Sequence, residues 1–167
     1  MNEGLIGTLE LPGGEGDYLV GDSRQTLGHD PLGDEEEEED LRALDIDDPH
    51  QLGRLGELIA ARYLRSAGYE VLQRNWRCRS GEVDVVARDL NRDETVLVEV
   101  KTRRNADCNP EDAVDESKLA RYRTLSLEYL LEHECVSCLR FDVIAIVIAR
   151  PGLARLRHIL GASSWDS

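Results

Sequence analysis

The chain has 167 residues and a formal net charge of −14 at pH 7, a length that suits one ordinary domain with additional unstructured residues. Residues 1–50 contain sixteen acidic and two basic residues, whereas residues 51–167 contain eighteen of each, so the acidity belongs to the first segment. No apolar run reaches the roughly 20 residues of a membrane span, and residues 1–50 lack the basic and apolar regions of a secretory signal. We therefore expect a cytoplasmic protein that makes no membrane contact.

Residues 1–49 are predicted to form an acidic, disordered N-terminal extension. They contain Pro12-Gly13-Gly14 and the acidic run from Asp34 to Asp40, without sustained apolar periodicity. Such a composition buries too little apolar surface to offset the entropy that is lost on ordering. Two interpretations stay open: the extension mimics nucleic acid and covers a basic surface of the domain, or it is only a solubilising segment.

The folded part is predicted to begin with a helix over residues 51–67, where apolar residues recur at helical spacing and Asp47 or Asp48 can cap the start. The predicted elements that follow are strands over 69–75, 82–88 and 94–102, a helical region from Asn109-Pro110 to about residue 133, and strands over 139–149 and 154–159. Strands joined by tight turns pair antiparallel, whereas the strand after a long helix can return parallel. The sequence thus predicts an α/β fold (α+β, with a mixed sheet) of four or five strands flanked by helices, over residues 50–162, with a short tail over 163–167.

The predicted hairpin between the second and third of these strands carries a group of charged residues. Because side chains alternate along a strand, Glu82 and Asp84 share one face of their strand, and Glu99 and Lys101 share one face of the next. A turn centred between residues 91 and 92 pairs residues whose numbers sum to 183, so Asp84 stands opposite Glu99. Directly opposed Cβ atoms lie about 4.5–5.5 Å apart, which predicts that the two carboxylates come together.

Two opposed carboxylates repel each other and need a compensating charge. A hard divalent cation, Mg²⁺ or Mn²⁺, provides it because such ions prefer oxygen ligands. Lys101 then lies beside the metal, where a lysine can position or deprotonate a water molecule or stabilise developing charge. Residues 51–167 contain only two lysines and sixteen arginines, which favours a chemical role for Lys101. The alternative is an ordinary solvated face with an ion pair.

Glu57 is a further acidic candidate, on the first helix. It shares a stripe of the helix with small and apolar residues, where an unpaired charge is unfavourable. Two alternatives follow: Arg77 or Arg79 pairs with Glu57, or Glu57 joins the metal site.

Basic residues near the hairpin are predicted to contact nucleic acid. We define the basic rim as Arg74, Arg77, Arg79, Arg103 and Arg104, because clustered arginines supply the affinity for phosphates. Lys118, in the first turn of the second helix, opposes the helix dipole by about 0.3–1 kcal/mol. It either contacts a phosphate or pairs with Asp115 or Glu116.

Cysteines give a weaker signal. Four cysteines are too few for a disulfide framework in a chain of this length. Cys135-Val-Ser-Cys138 with His133 has the spacing of half a zinc site, but no second close pair of cysteines follows. The competing interpretation is a pair of small residues that lead into a strand.

Five motifs occur in one order along the chain: Gly53-Arg-Leu-Gly-Glu57, Gly81-Glu-Val-Asp84, Val98-Glu-Val-Lys101-Thr-Arg103, Pro110-Glu-Asp-Ala-Val114 with Lys118, and Arg140-Phe-Asp142-Val. Together they resemble the YraN-like family of predicted endonucleases, which has the PD-(D/E)XK, restriction-endonuclease-like fold and is related in architecture to archaeal Holliday junction resolvases. The resemblance covers essentially residues 51–162.

The resemblance implies metal-dependent hydrolysis of phosphodiester bonds in DNA, with branched or flapped DNA as candidate substrates and a homodimer as a compatible assembly. Asp84 and Glu99 are then metal ligands, Lys101 the catalytic lysine, Glu57 the acid contributed by a helix, and Lys118 a residue that faces the substrate. The alternative is a module with a nuclease-like fold that binds nucleic acid or a protein and cuts nothing. The set of Asp84, Glu99 and Lys101 favours the enzyme, because a binding module gains nothing from opposed carboxylates.

Overall fold

The computed structural model describes residues 5–10, 19–20, 25–26, 44–104, 116–150 and 153–162. These ranges contain two helices and eight strands. In chain order they are β1 (Leu5–Glu10), β2 (Leu19–Val20), β3 (Gln25–Thr26), α1 (Pro49–Ser66), β4 (Tyr69–Cys78), β5 (Gly81–Asp89), β6 (Glu94–Arg103), α2 (Glu116–Glu132), β7 (Leu139–Arg150) and β8 (Leu153–Ile159). The strands form one sheet in the order β3-β2-β1-β8-β7-β6-β5-β4.

Five of these strands form the mixed sheet that the sequence predicts. β4, β5 and β6 are antiparallel neighbours, β7 runs parallel to β6, and β8 returns antiparallel to β7. The parallel pair requires a crossover connection, and α2 lies within it. The order of helix, three antiparallel strands, helix and parallel strand is that of a restriction-endonuclease-like core, which confirms the predicted fold.

α1 begins with a side-chain cap, as the sequence predicts. The carboxylate of Asp48 accepts hydrogen bonds from the N–H groups of His50 at 2.8 Å and Gln51 at 3.2 Å, and Pro49 occupies the first turn. These contacts satisfy N–H groups that have no partner within the helix. The helix ends before Gly68, whose φ of 87° suits a residue without a Cβ atom.

The sheet packs a helix against each face. The α1-side cluster combines residues of α1 such as Ile59 and Tyr63 with Val96, Val98 and Val100 of β6. The α2-side cluster combines aromatic residues of α2 with strand residues on the opposite face; its buried members are Trp76, Val83, Val86, Leu97, Tyr122, Leu125, Tyr129, Phe141 and Val143. The part of β6 from Thr95 to Val98 is buried and nearly apolar, as expected for a strand covered on both faces, whereas its charged residues lie at or towards the two ends.

The β5–β6 hairpin has the predicted register. The Cα partners run from Asp89↔Glu94 to Val85↔Val98, and each pair sums to 183. Asp89 stabilises the turn, because one carboxylate oxygen accepts hydrogen bonds from the N–H groups of Asn91 at 3.0 Å and Arg92 at 3.2 Å. The paired residues of this ladder end at Val85↔Val98, so Asp84 and Glu99 come directly after its last pair.

The regular alternation predicted for the second strand is wrong at Asp84. Val83 belongs to the α2-side cluster and Val85 to the α1-side cluster, although residues two apart on a regular strand share a face. On the neighbouring strand, Asn75 has a left-handed φ of 53°, and the residues on either side of it pair with Val85 and Val83. β5 therefore changes faces at the level where β4 leaves the extended conformation.

Within residues 1–49, for which the sequence predicted no secondary structure, the described ranges contain three strands. β1 pairs antiparallel with β8 over six residues, and β2 and β3 extend the sheet beyond it. Pairing along an existing sheet edge satisfies backbone groups without any amphipathic pattern in the sequence, so composition alone gave no signal for these strands. The acidic run from Asp34 to Asp40, the tail over 163–167 and the start of the predicted second helical region at Asn109 lie outside the described residues. Neither helix in the described ranges has the length and apolar character that crossing a membrane requires.

Candidate active site

Asp84 lies beside the backbone of β6. Its Oδ2 atom accepts a hydrogen bond from the N–H of Val100 at 2.6 Å, and its side chain is half-buried. Burial raises the pKa of Asp84, the hydrogen bond from Val100 lowers it, and the charges of Glu99 and Glu57 raise it further, with a net pKa of about 6. An aspartate with a raised pKa next to two other acids marks a place where negative charge is concentrated.

Glu99 and Lys101 share a face of β6, as predicted, and form an ion pair. The side chain of Glu99 is only 12% exposed and that of Lys101 is 31% exposed. The predicted alternative, a solvated strand face with an ion pair, shares this ion pair but not the low exposure of Glu99. The ammonium group of Lys101 also acts on Asp84, whose pKa it lowers.

Glu57 reaches the same region from α1. Its Oε2 atom accepts a hydrogen bond from Nδ2 of Asn75 at 2.9 Å, and its charge contributes to the raised pKa of Asp84. Arg77, one of the arginines predicted as its alternative partner, forms an ion pair with Glu82 at 3.2 Å. Asn75 was missed in the sequence, although an asparagine that ends a predicted strand is a typical left-handed position.

Gly56 allows α1 to lie close to β6. A Cβ atom at residue 56 would be 1.7 Å from Oγ1 and 2.9 Å from Cβ of Thr102, the residue after Lys101. Such distances are far below van der Waals contact, so only glycine permits this approach. The close approach brings Glu57 towards the strand that carries Glu99 and Lys101.

Gly56→Ala is expected to lower the free energy of unfolding by about 1–3 kcal/mol, because the added methyl group overpacks the contact between α1 and Thr102. Gly53→Ala is the matched control. A Cβ atom there meets nothing within 4 Å, so the same substitution should be neutral or stabilising by up to about 1 kcal/mol through helix propensity. Urea denaturation of both variants measures the difference, and equal free energies of unfolding would contradict the close packing at Gly56.

The predicted basic residues occupy different environments. Arg77 is paired with Glu82, Arg103 is exposed at the end of β6, and Arg104 forms an ion pair with Asp47. The side chain of Lys118 lies outside the described residues. The contact of Arg104 with Asp47 shows that residues preceding α1 can neutralise part of the basic rim, and both interpretations of the extension stay open.

The predicted zinc half-site lacks further ligands in the part of the chain that the structure describes. Cys135 and Cys138 are exposed thiols, and the ring of His133 stacks on Tyr129 while its Nδ1 lies 2.9 Å from the carbonyl oxygen of that residue. In the described ranges no three His, Cys, Asp or Glu side chains converge as a preassembled metal cluster. The same holds for Glu57, Asp84 and Glu99, although the charges of Glu57 and Glu99 act on Asp84 and Lys101 is paired with Glu99.

A second group of charges lies on the α1 side of the sheet, around Asp142. The carboxylate of Asp142 is fully buried and accepts hydrogen bonds from Arg140 at 2.9 and 3.0 Å, from Nε2 of His158 at 3.0 Å and from the N–H of Gly161 at 2.8 Å. Burial alone would raise the pKa of Asp142, but the hydrogen bonds from His158 and Arg140 outweigh it and hold the pKa below its usual range. Asp142 thus holds Arg140 and His158 in place through these hydrogen bonds.

The donor set around Asp84 fits a hard divalent cation. The charges of two other carboxylates and one ammonium group act on Asp84, and burial together with the charges of Glu99 and Glu57 opposes its ionisation. Mg²⁺ and Mn²⁺ are commonly held by one or two carboxylates with water and phosphate, not by a complete cage of protein ligands. The absence of a three-ligand cluster in the described ranges is therefore compatible with such an ion.

Comparison with known proteins identifies relatives of this chain. The model of the uncharacterised protein family UPF0102 matches residues 56–146. The chain is similar to a UPF0102 protein of Parafrankia sp. strain EAN1pec, with 47% identity over 114 residues that cover 67% of this chain and 95% of the relative. It is also similar to a UPF0102 protein of Kineococcus radiotolerans, with 47% identity over 67% of this chain and 93% of the relative, and to one of Beutenbergia cavernae, with 46% identity over 66% and 93%.

Proposed function

The chain belongs to the UPF0102 (YraN-like) family, and we propose that it is a metal-dependent endonuclease that hydrolyses phosphodiester bonds in DNA. The observation that carries this proposal is the half-buried Asp84, whose pKa is raised to about 6 by burial and by the nearby Glu99 and Glu57. Folding has concentrated negative charge beside a lysine, an arrangement that is unfavourable unless a cation or a proton is bound there.

Asp84 and Glu99 would hold Mg²⁺ or Mn²⁺, with Glu57 as a further oxygen donor, directly or through water. When bound, such an ion supplies positive charge that polarises the phosphate and offsets the repulsion among the acids. The hydrogen bond from Val100 occupies one oxygen of Asp84, so it fixes the orientation of the carboxylate.

Lys101 would supply the positively charged side chain that Asp84, Glu99 and Glu57 cannot supply. Glu99 holds its ammonium group beside Asp84, and a lysine can release or retain a proton according to its surroundings. As an ammonium group it either orients the attacking water molecule or stabilises the negative charge that develops on the phosphate oxygens. Only as a neutral amine, after losing its proton to solvent, would it accept a proton from that water molecule.

A binding module on the same fold is the second candidate. The balanced charge of residues 51–167 and the ion pair of Arg104 with Asp47 favour a module that binds a protein, because nucleic-acid affinity normally depends on an excess of clustered basic residues. Against it, three acids at a phosphate-binding surface weaken binding unless a cation compensates them. The dependence of function on metal and on Lys101 separates the two candidates.

Lys101→Met is expected to reduce metal-dependent cleavage about 10²- to 10⁴-fold, the usual contribution of a positioned acid or base. Binding of Mg²⁺ should persist or become tighter, because Glu99 loses its ammonium partner. Calorimetry with Mg²⁺ or Mn²⁺ and cleavage of labelled linear, flapped and four-way DNA by the same samples measure both properties.

Arg103→Met is the matched control, since Arg103 lies two residues further along β6 and is exposed. It should weaken DNA binding and reduce its salt dependence while the rate at saturating DNA stays near that of the wild type. Wild-type protein that binds no metal and cleaves none of the three DNA structures would exclude the nuclease and leave the binding module.

A further inference from the structure

We propose that Asn75 is a positioning residue of the candidate active site, which holds Glu57 and sets the backbone geometry that directs Asp84 towards β6. This inference rests on the proposed function, because it assigns a task to Asn75 in assembling the acids for a cation. Asn75 is outside every motif that the sequence singled out.

The backbone of Asn75 is the first observation. Its φ of 53° lies in the left-handed region, which non-glycine residues rarely adopt and which asparagine tolerates better than most. At this level β5 changes faces, with Val83 packed on the α2 side of the sheet and Val85 on the α1 side. Asp84 lies between them and turns its carboxylate to the N–H of Val100. The left-handed conformation of Asn75 and the orientation of the Asp84 carboxylate are thus parts of one local irregularity in the pairing of β4 with β5.

The side chain of Asn75 is the second observation. Its Nδ2 group donates to Oε2 of Glu57 at 2.9 Å, which ties an acid on α1 to β4. A neutral donor orients the carboxylate without adding positive charge. An arginine in the same place would neutralise Glu57 and compete with a cation, and the nearby Arg77 is instead paired with Glu82.

The backbone and the side chain of Asn75 affect two acidic residues that belong to different elements. Glu57 belongs to α1 and Asp84 to β5. Asn75 donates to the first, and on β4 it lies between the residues that pair with Val83 and Val85, the neighbours of the second. Partners of this kind, which orient a ligand without touching the metal, typically contribute 10- to 100-fold to metal affinity or activity. We expect that scale of effect when the amide of Asn75 is removed.

Asn75→Gly removes the amide and keeps the left-handed backbone accessible, whereas Asn75→Ala removes the amide and disfavours that backbone. Gln73→Gly is the control, because it adds the same flexibility at an exposed residue of β4. For each variant we would measure Mg²⁺ binding by calorimetry, the Mg²⁺ concentration that gives half-maximal cleavage, and the unfolding of the metal-free protein. Asn75→Gly should raise the half-saturating Mg²⁺ concentration about 10- to 100-fold, with the maximal rate restored at high Mg²⁺, while Gln73→Gly leaves it unchanged.

The Glu57→Ala background separates the two roles of Asn75. With Glu57 absent, Asn75→Gly should have no further effect on Mg²⁺ binding, whereas Asn75→Ala should still weaken it through the backbone at Asp84. If Asn75→Gly binds Mg²⁺ like Gln73→Gly while the wild type remains metal-dependent, the inference fails and the proposed function stands. If the wild type itself neither binds Mg²⁺ nor cleaves DNA, the proposed function and this inference fail together.

Discussion

Asp84→Asn is expected to abolish metal-dependent cleavage and, at the same time, to make the metal-free protein more stable at neutral pH. Cleavage should fall by at least about a hundredfold, since even residues that only orient a metal ligand contribute up to that factor. The asparagine oxygen can still accept the hydrogen bond from Val100, so the local structure should persist.

The gain in stability follows from the raised pKa of Asp84. The folded protein holds this proton with a pKa of about 6, against a reference value of 3.8. Deprotonation therefore favours the unfolded chain, and the free energy of unfolding falls as the pH rises from about 4 to about 6. A rise of this size in the pKa corresponds to about 3 kcal/mol of destabilisation above that range. Asp84→Asn lacks the titrating carboxyl group, so its free energy of unfolding should not fall over this pH range.

Urea denaturation without metal, at pH values from 4 to 8, measures the predicted difference between wild type and Asp84→Asn. Glu82→Gln is the matched control on the same strand, because Glu82 is exposed and paired with Arg77. Addition of Mg²⁺ should stabilise the wild type and Glu82→Gln and leave Asp84→Asn unchanged. Equal cleavage by Asp84→Asn and the wild type would show that Asp84 holds no catalytic metal.

The positions of Glu99 and Lys101 were predictable because they depend on local rules. A short polar turn fixed the register in which residue numbers sum to 183, and strand alternation placed Glu99 and Lys101 on one face. Their ion pair required no information from distant parts of the chain.

The surroundings of Asp84 were not predictable in the same way. The change of faces at Asp84 accompanies a left-handed residue on the neighbouring strand, and strand pairing between β4 and β5 is needed to see that they lie at one level. The hydrogen bond between Asn75 and Glu57 joins residues 18 positions apart on a strand and a helix. The helical spacing predicted that Glu57 lies near the site, but it could not predict which residue binds Glu57. That partner depends on how closely α1 approaches β6 at Gly56.

The hydrogen bonds of Asp142, which stabilise the fold, were likewise not predictable from the sequence. The sequence singled out Asp142 only as a member of the Arg140-Phe-Asp142-Val motif, and the fold gives it four hydrogen bonds on the face opposite to the Glu99–Lys101 pair. Arg140 also donates to Asp89 at 3.1 Å and to Glu94 at 2.6 Å. Since Asp89 stabilises the turn of the β5–β6 hairpin, this network supports the register that aligns the candidate active site.

Asp142→Ala is expected to lower the free energy of unfolding by about 3–5 kcal/mol, because loss of one member of a buried ion pair leaves its partner without compensation. Arg140 is only 11% exposed, and His158, which is fully buried, would lose the acceptor of its Nε2 group. A change of this size is a large fraction of the stability of an ordinary domain. Urea or thermal denaturation at pH 7 measures it.

Arg88→Ala provides the comparison, since Arg88 forms its ion pair with Asp93 at the exposed side of the same hairpin. Solvent screens that pair, so its loss should change the stability far less than Asp142→Ala does. In the fraction of Asp142→Ala that remains folded, the Mg²⁺ concentration for half-maximal cleavage should match that of the wild type, because the network lies on the face away from the Glu99–Lys101 pair. A variant that keeps its full stability but loses metal binding would instead place Asp142 among the residues that hold the cation.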